Sequence, residues 1–92
     1  MQRFLIEVPH SVEARACARE VHVFLSTGSH FLSHADFGCM DGVHSAWLIV
    51  EVDNKEEARM VVPPQFRSQA KIIALNKFDL QQIEAMLAQQ KP

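Results

Sequence analysis

The sequence predicts an α+β fold built on one sheet, and three observations carry that expectation. Short alternating segments recur between amphipathic ones, an Asp-Gly pair sits between two alternating runs, and proline or glycine punctuates the junctions. At 92 residues and 48% hydrophobic content, the chain is expected to form a single domain over residues 1–92, with too little length for a second core.

The first run, Arg3 to Val8, alternates Phe4, Ile6 and Val8 against Arg3, Leu5 and Glu7, which is the period of a strand with one strongly apolar face. Pro9 and His10 close it. Ser11 is placed to cap a helix whose apolar positions Ala14, Cys17, Val21, Phe24 and Leu25 recur at helical spacing, and Gly28 ends that helix near Thr27. From His30 to Asp53 the pattern predicts a hairpin of two strands with Asp41-Gly42 as its two-residue turn. That register sets Cys39 opposite His44, Phe37 opposite Ala46, Asp36 opposite Trp47, His34 opposite Ile49 and Leu32 opposite Glu51. Asp53 and Glu56 have capping-box spacing before a second helix carrying Ala58, Val61 and Val62, which Pro63-Pro64 stops. Ala70 to Phe78 reads as a fourth strand. Asp79 and Gln82 repeat the capping arrangement before Leu80, Ile83 and Leu87, a final helix with the polar end Gln89-Gln90-Lys91-Pro92.

The order strand, helix, strand, strand, helix, strand, with right-handed crossovers, predicts a ferredoxin-like βαββαβ plait with an extra C-terminal helix. Its antiparallel four-stranded sheet is expected in the order 4-1-3-2. Phe4, Ile6, Val8, Phe31, Ala35, Phe37, Ala46, Leu48, Val50 and Val52 are expected on the helix-covered face.

Nine Lys+Arg against eleven Asp+Glu, a net charge of −2, offer no excess of positive charge for a nucleic-acid backbone or an anionic membrane surface. No apolar run approaches the ~20 residues that span a bilayer, and Glu7 interrupts the N-terminal segment too early for a signal-peptide core, so a cytoplasmic location is expected. Two cysteines, Cys17 and Cys39, make neither a disulfide framework nor a zinc knuckle and read as free thiols. Five histidines are the unusual feature, since charging all of them would move the net charge from −2 to +3.

The other sheet face collects Leu5, Glu7, His30, Leu32, His34, Asp36, Trp47, Ile49, Glu51 and Asp53. Strands of about five residues at ~4.8 Å spacing make this face roughly 300 Å², a large area to leave bare with Trp47, Ile49, Leu32 and Leu5 on it. A second copy packed there, a homodimer, is the economical cover, with a ligand space between the sheets.

The plait with an Asp-Gly hairpin, Trp47-Leu48-Ile49-Val50-Glu51-Val52, the capped Glu56-Glu57-Ala58 helix and the proline break together resemble the dimeric α/β-barrel superfamily. Gly38-Cys39-Met40-Asp41-Gly42 through Glu57-Ala58 is similar to the YCII-related proteins of that superfamily, whose proposed chemistry uses a His and an Asp. Those proteins have the Asp before a proline after the second helix, where this chain has Val62 before Pro63, so that assignment does not carry over. Phe4-Leu5-Ile6-Glu7 resembles small nickel-binding members, which implies histidine and carboxylate ligands in the barrel. Antibiotic-biosynthesis monooxygenases and muconolactone isomerases share the expected fold without a match to their active-site patterns.

Parallel pairing of the first and third strands would gather Glu7, His10, His30, Glu51 and Asp53 at one rim, with His34 one step deeper. His10, His30, His34 and Glu51 are the expected ligands of a divalent metal, Ni, Zn, Fe or Mn. His34 and Asp36, two apart on one strand face, are the expected acid/base pair, and Trp47, Ile49, Leu32 and Glu7 the expected lining of a small-ligand site. Cys39 and His44 could resemble a thiolate–imidazole couple, although their helix-facing neighbours favour an inert buried thiol. The expected function is a small-ligand or divalent-metal binding domain, sensory or regulatory in role. The alternative is a cofactor-independent isomerase or monooxygenase-like enzyme.

Overall fold

The computed structural model describes residues 1–90. The expected polar end at Lys91 and Pro92 lies outside the described residues. The described chain is α+β, with strands β1 (Gln2–Pro9), β2 (Asp36–Phe37), β3 (Ser45–Val52) and β4 (Lys71–Leu75) and helices α1 (Ala14–Ser26), α2 (Lys55–Val61) and α3 (Leu80–Gln89). The strands form one sheet in the order β2-β3-β1-β4, which read from the β4 edge runs 4-1-3-2. Every pairing is antiparallel.

Alternation in β1 decides the layering. Phe4, Ile6 and Val8 are buried and pair with Val50, Leu48 and Ala46 of β3, while Phe4 and Ile6 meet Ala74 and Ile72 of β4. α1 adds Phe24 to this core and α2 adds Ala58, with Val62 and Phe66 following. The intervening row on the other face is Ile49, Leu5 and Ile73, of which Ile49 is 59% and Ile73 44% exposed. α3 buries none of its residues. Extents of 52 × 28 × 20 Å and a radius of gyration of 16.5 Å, against about 12 Å for a compact chain of this length, fit a helix standing off the body.

The expected second strand is cut down to Asp36–Phe37. Where β2 exists, its register is the expected one, Asp36 with Trp47 and Phe37 with Ala46. Upstream, serines compete for the backbone: Leu32 N–H donates to Ser29 Oγ at 3.3 Å and Ser33 Oγ donates to His30 O at 2.7 Å. They fold Leu32–His34 into a 3-10 turn, so the period-two facing fails there. Leu32, expected on the ligand-binding face, is in the core at 2% exposure, and Phe31, expected in the core, is 40% exposed. Downstream, the two-residue turn is replaced by a 3-10 turn over Cys39–Asp41 that ends at Gly42, φ +81°.

Helix starts shift by a residue or two. Glu13, not Ser11, caps α1, accepting from Arg15 and Ala16 N–H at 3.1 and 2.8 Å. Asn54, not Asp53, caps α2 through Glu57 N–H. The Asp79–Gln82 capping box forms as expected. Among the described residues, no helix is long and apolar enough to cross a membrane.

Candidate metal centre

Antiparallel pairing of β1 with β3 corrects the single rim that parallel pairing would give. Glu7 lies opposite Trp47, whereas Glu51 lies opposite Arg3, four residues away along β1, about 13 Å. The expected metal set therefore divides. His30, His34 and Glu51 line a small hollow of about 190 Å³ with Phe31, Ile49 and Val50. His10, just past Pro9, sits at the other end of β1.

At that end three parts of the chain converge. His10 N–H donates to His44 O at 3.0 Å, clamping the exit of β1 to the entry of β3. Cys17 is on the inward stripe of α1, one turn from its start, at 6% exposure. Cys39 opens the 3-10 turn and His44 immediately precedes β3. Gly38 makes the turn possible, because a Cβ there would come within 2.6 Å of Val43 O and 2.7 Å of the Trp47 ring. Gly38 N–H donates to Ser45 O at 3.1 Å and Gly38 O accepts from Val43 N–H at 2.9 Å, which folds the loop back toward α1.

The side chains form a continuous chain. His10 Nε2 is 2.8 Å from Cys39 Sγ, Cys17 Sγ donates to Cys39 Sγ at 3.1 Å, and His44 Nδ1 is 3.4 Å from Cys17 Sγ. One donor atom from each of His10, Cys17, Cys39 and His44 lies within 4.8 Å of all the others. Bonds of about 2.3 Å to sulfur and about 2.0 Å to nitrogen set the corners of a tetrahedral zinc site about 3.3–3.8 Å apart, so these four residues could hold a metal ion after small side-chain adjustments. The His10 and His44 rings meet edge-on at 5.9 Å, and Phe37 packs on the edge of His10 at 6.3 Å.

Electrostatics keep His10 and Cys17 neutral in the metal-free chain, so a metal ion would have to displace the Cys17 proton. Burial pulls the His10 pKa below its ordinary 6.5, with Glu20 opposing and His44 assisting. The Val8 backbone opposes the shift by a smaller amount. The hydrogen bond with Cys39, and then burial, raise the Cys17 thiol to about 11. Beside the cluster runs an apolar cleft of about 490 Å³ between α1 and the turn, lined by Ala14, Ala18, Val21, Phe37 and Met40 and reaching Cys17, Cys39 and His44.

No family model, curated protein or solved structure matches this chain.

Of the expected ligands only His10 belongs to the cluster, and none of the four donors is a carboxylate. Cys17, Cys39 and His44 were expected to be inert or bland. A signal did exist: Cys39 and His44 are separated by four residues around a turn, within the spacing that metal-binding loops use. The other half, His10 and Cys17, joins them only through the fold. His34 and Asp36, the expected acid/base pair, line a separate hollow of about 310 Å³ with Leu5, Trp47, Leu48 and Ile49. Both are exposed, and His34 Nδ1 is engaged with His30 O at 2.8 Å. Glu7, half-buried between Trp47 and Lys71, and Leu32 are outside the lining of that hollow.

Proposed function

We propose that this chain binds one transition-metal ion of the zinc class through His10, Cys17, Cys39 and His44, and that the ion locks the Cys39 turn against β1 and α1. The observation that carries this reading is the mutual approach of four metal-ligating atoms within 4.8 Å, from parts of the chain far apart in sequence. A divalent ion on two thiolates and two neutral imidazoles is neutral overall, the form that a half-buried apolar setting tolerates best. Two sulfurs with two nitrogens favour zinc over manganese, which prefers oxygen, and leave iron and nickel as competitors. Side chains fill all four corners, so the ion's role is to hold the fold and report metal supply rather than to activate a water.

Elemental analysis of untagged protein purified without chelator tests this, together with Cys17→Ser and Cys39→Ser. About one ion per chain is expected in the parent, with affinity falling at least tenfold in each variant. Visible bands of tetrahedral thiolate-bound Co(II) after cobalt loading are expected to report the donor set. Substoichiometric metal that neither substitution alters overturns the reading.

The same reading keeps the ferredoxin-like plait, a relationship to the dimeric α/β-barrel superfamily and a homodimer. Supporting it are the sheet order and the row Ile49, Leu5 and Ile73 beside Trp47, with Ile49 and Ile73 exposed. A chain that sediments as a monomer at micromolar concentration removes the homodimer and leaves the metal site standing. A reducing compartment such as the cytoplasm suits a pair of free thiols. One observation favours a second reading, acid/base chemistry on a small ligand: His34 and Asp36 share a hollow with Trp47. Saturation of Trp47 fluorescence by a small carboxylic or aromatic ligand, abolished in His34→Ala, is the expected sign of it.

A further inference from the structure

The chain's two cysteines come from positions 22 residues apart, yet their sulfurs lie 3.1 Å from each other and both are free thiols. A disulfide needs about 2.05 Å, so closure asks for a movement of about 1 Å. The two partners differ in how they are held. Cys17 is buried on α1, whereas Cys39 is half-buried on a short turn followed by four exposed residues, Met40, Asp41, Gly42 and Val43. The apolar cleft, open to solvent, is lined by both cysteines, which gives a small neutral oxidant a route to the turn. His10 Nε2, 2.8 Å from Cys39 Sγ, is positioned to take the thiol proton.

We propose that Cys39 and Cys17 are a hydroperoxide-reactive dithiol, with Cys39 attacking and Cys17 resolving, whose disulfide removes both sulfurs from the metal site. Only the last clause rests on the metal reading above. In the metal-free chain, the first step has Cys39 pass its proton to His10 while its sulfur attacks one peroxide oxygen. The O–O bond breaks, Cys39 becomes a sulfenic acid, and the departing oxygen takes the proton from His10 to leave as water, or as an alcohol from an organic hydroperoxide. In the second step the Cys17 sulfur attacks the sulfenic sulfur. The S–O bond breaks, the hydroxyl leaves with the Cys17 proton as water, and the S–S bond forms. Peroxide gains the two electrons that the thiols lose.

The oxidised form has no thiolate to offer, so a bound ion retains only His10 and His44 and is released. Exposure sets the order of attack: the half-exposed sulfur on the turn meets the oxidant, and the buried one on the helix meets the sulfenic acid.

The test treats the reduced full chain, zinc-loaded and metal-free, with hydrogen peroxide. Expected are loss of both thiols, a disulfide-linked peptide pair containing Cys17 and Cys39 within one chain, release of zinc to a chromogenic chelator in step with thiol loss, and recovery of both with dithiothreitol. In Cys17→Ser the Cys39 sulfenic acid is expected to accumulate and be trapped by a dione probe, whereas in Cys39→Ser the remaining thiol reacts at least tenfold more slowly. Two thiols that survive peroxide, or crosslinks only between chains, overturn the proposal. A disulfide formed in a chain that holds no metal at any stage defeats the metal reading and leaves the dithiol. Bound metal with peroxide-inert thiols does the reverse.

Discussion

The two ends of β1 carry different kinds of polar chemistry. At the Pro9 end, His10, Cys17, Cys39 and His44 come from a strand exit, a helix and a turn, and every donor atom is within 4.8 Å of the rest. Toward the Arg3 end and across the open face, His30, His34, Asp36 and Glu51 are all exposed and spread over two shallow hollows. Convergence from separate elements, behind Phe37 and against α1, fixes donor positions before a ligand arrives. Exposed side chains on one sheet face and its flanking turn must instead be ordered by whatever binds. The first region is pre-organised and the second is not.

The largest effect expected from this contrast is metal removal. On the proposed metal reading, free zinc at about 1,000 times the dissociation constant stabilises the folded chain by about 4 kcal/mol. Chelation is then expected to lower Tm by roughly 15–30 °C at about 4–8 °C per kcal/mol, read by differential scanning calorimetry with and without chelator. A Tm that chelation leaves in place breaks the comparison at its strongest point.

Next is Gly38→Ala. Its methyl group would meet Val43 O and the Trp47 ring, so the Cys39 turn must move, at a cost of about 1–3 kcal/mol. Weaker metal binding should accompany the stability loss, by isothermal titration, although residue 38 offers no ligand.

The pH dependence of the metal-free chain is smaller. His10 is depressed by burial, so its contribution is present above 6.5 and is lost as pH falls below 6.5 through its folded value. Cys17 is raised, so its contribution is present below 9.0 and lost as pH rises toward about 11. Urea midpoints across that range are expected to form a plateau that falls at both ends, with His10→Gln flattening the acid side.

The smallest effects belong to the open face. His34→Ala and Asp36→Ala are expected to change stability by less than about 0.5 kcal/mol and to leave metal stoichiometry unchanged. Loss of metal in either variant would erase the distinction between the two regions.

Much of the architecture was legible because local pattern and tertiary contact agree there. Phe4, Ile6 and Val8 alternate and are buried, Asp36 and Phe37 meet Trp47 and Ala46, and Asp79 with Gln82 closes its capping box. The pattern failed between His30 and Ala35, where Ser29 and Ser33 hydrogen-bond the backbone and make a turn of a stretch that alternates like a strand. It also did not bring together His10, Cys17, Cys39 and His44. Histidines and carboxylates grouped by strand parity pointed to the open face, and assuming parallel pairing of the first and third strands brought His10 to the wrong end.

By itself the sequence determined the order of elements, the helix-covered face of β1 and β3, and the nearness of Cys39 to His44 around a glycine-bounded turn. Those features depend on periods of two or 3.6 residues and on short-range turn geometry. Only the tertiary structure decided that His10 and Cys17 join them. Antiparallel pairing carries the exit of β1 to the entry of β3, and packing of α1 on that sheet brings Cys17 to the same spot. Such meetings of distant residues follow from how layers stack, a property that no local period encodes.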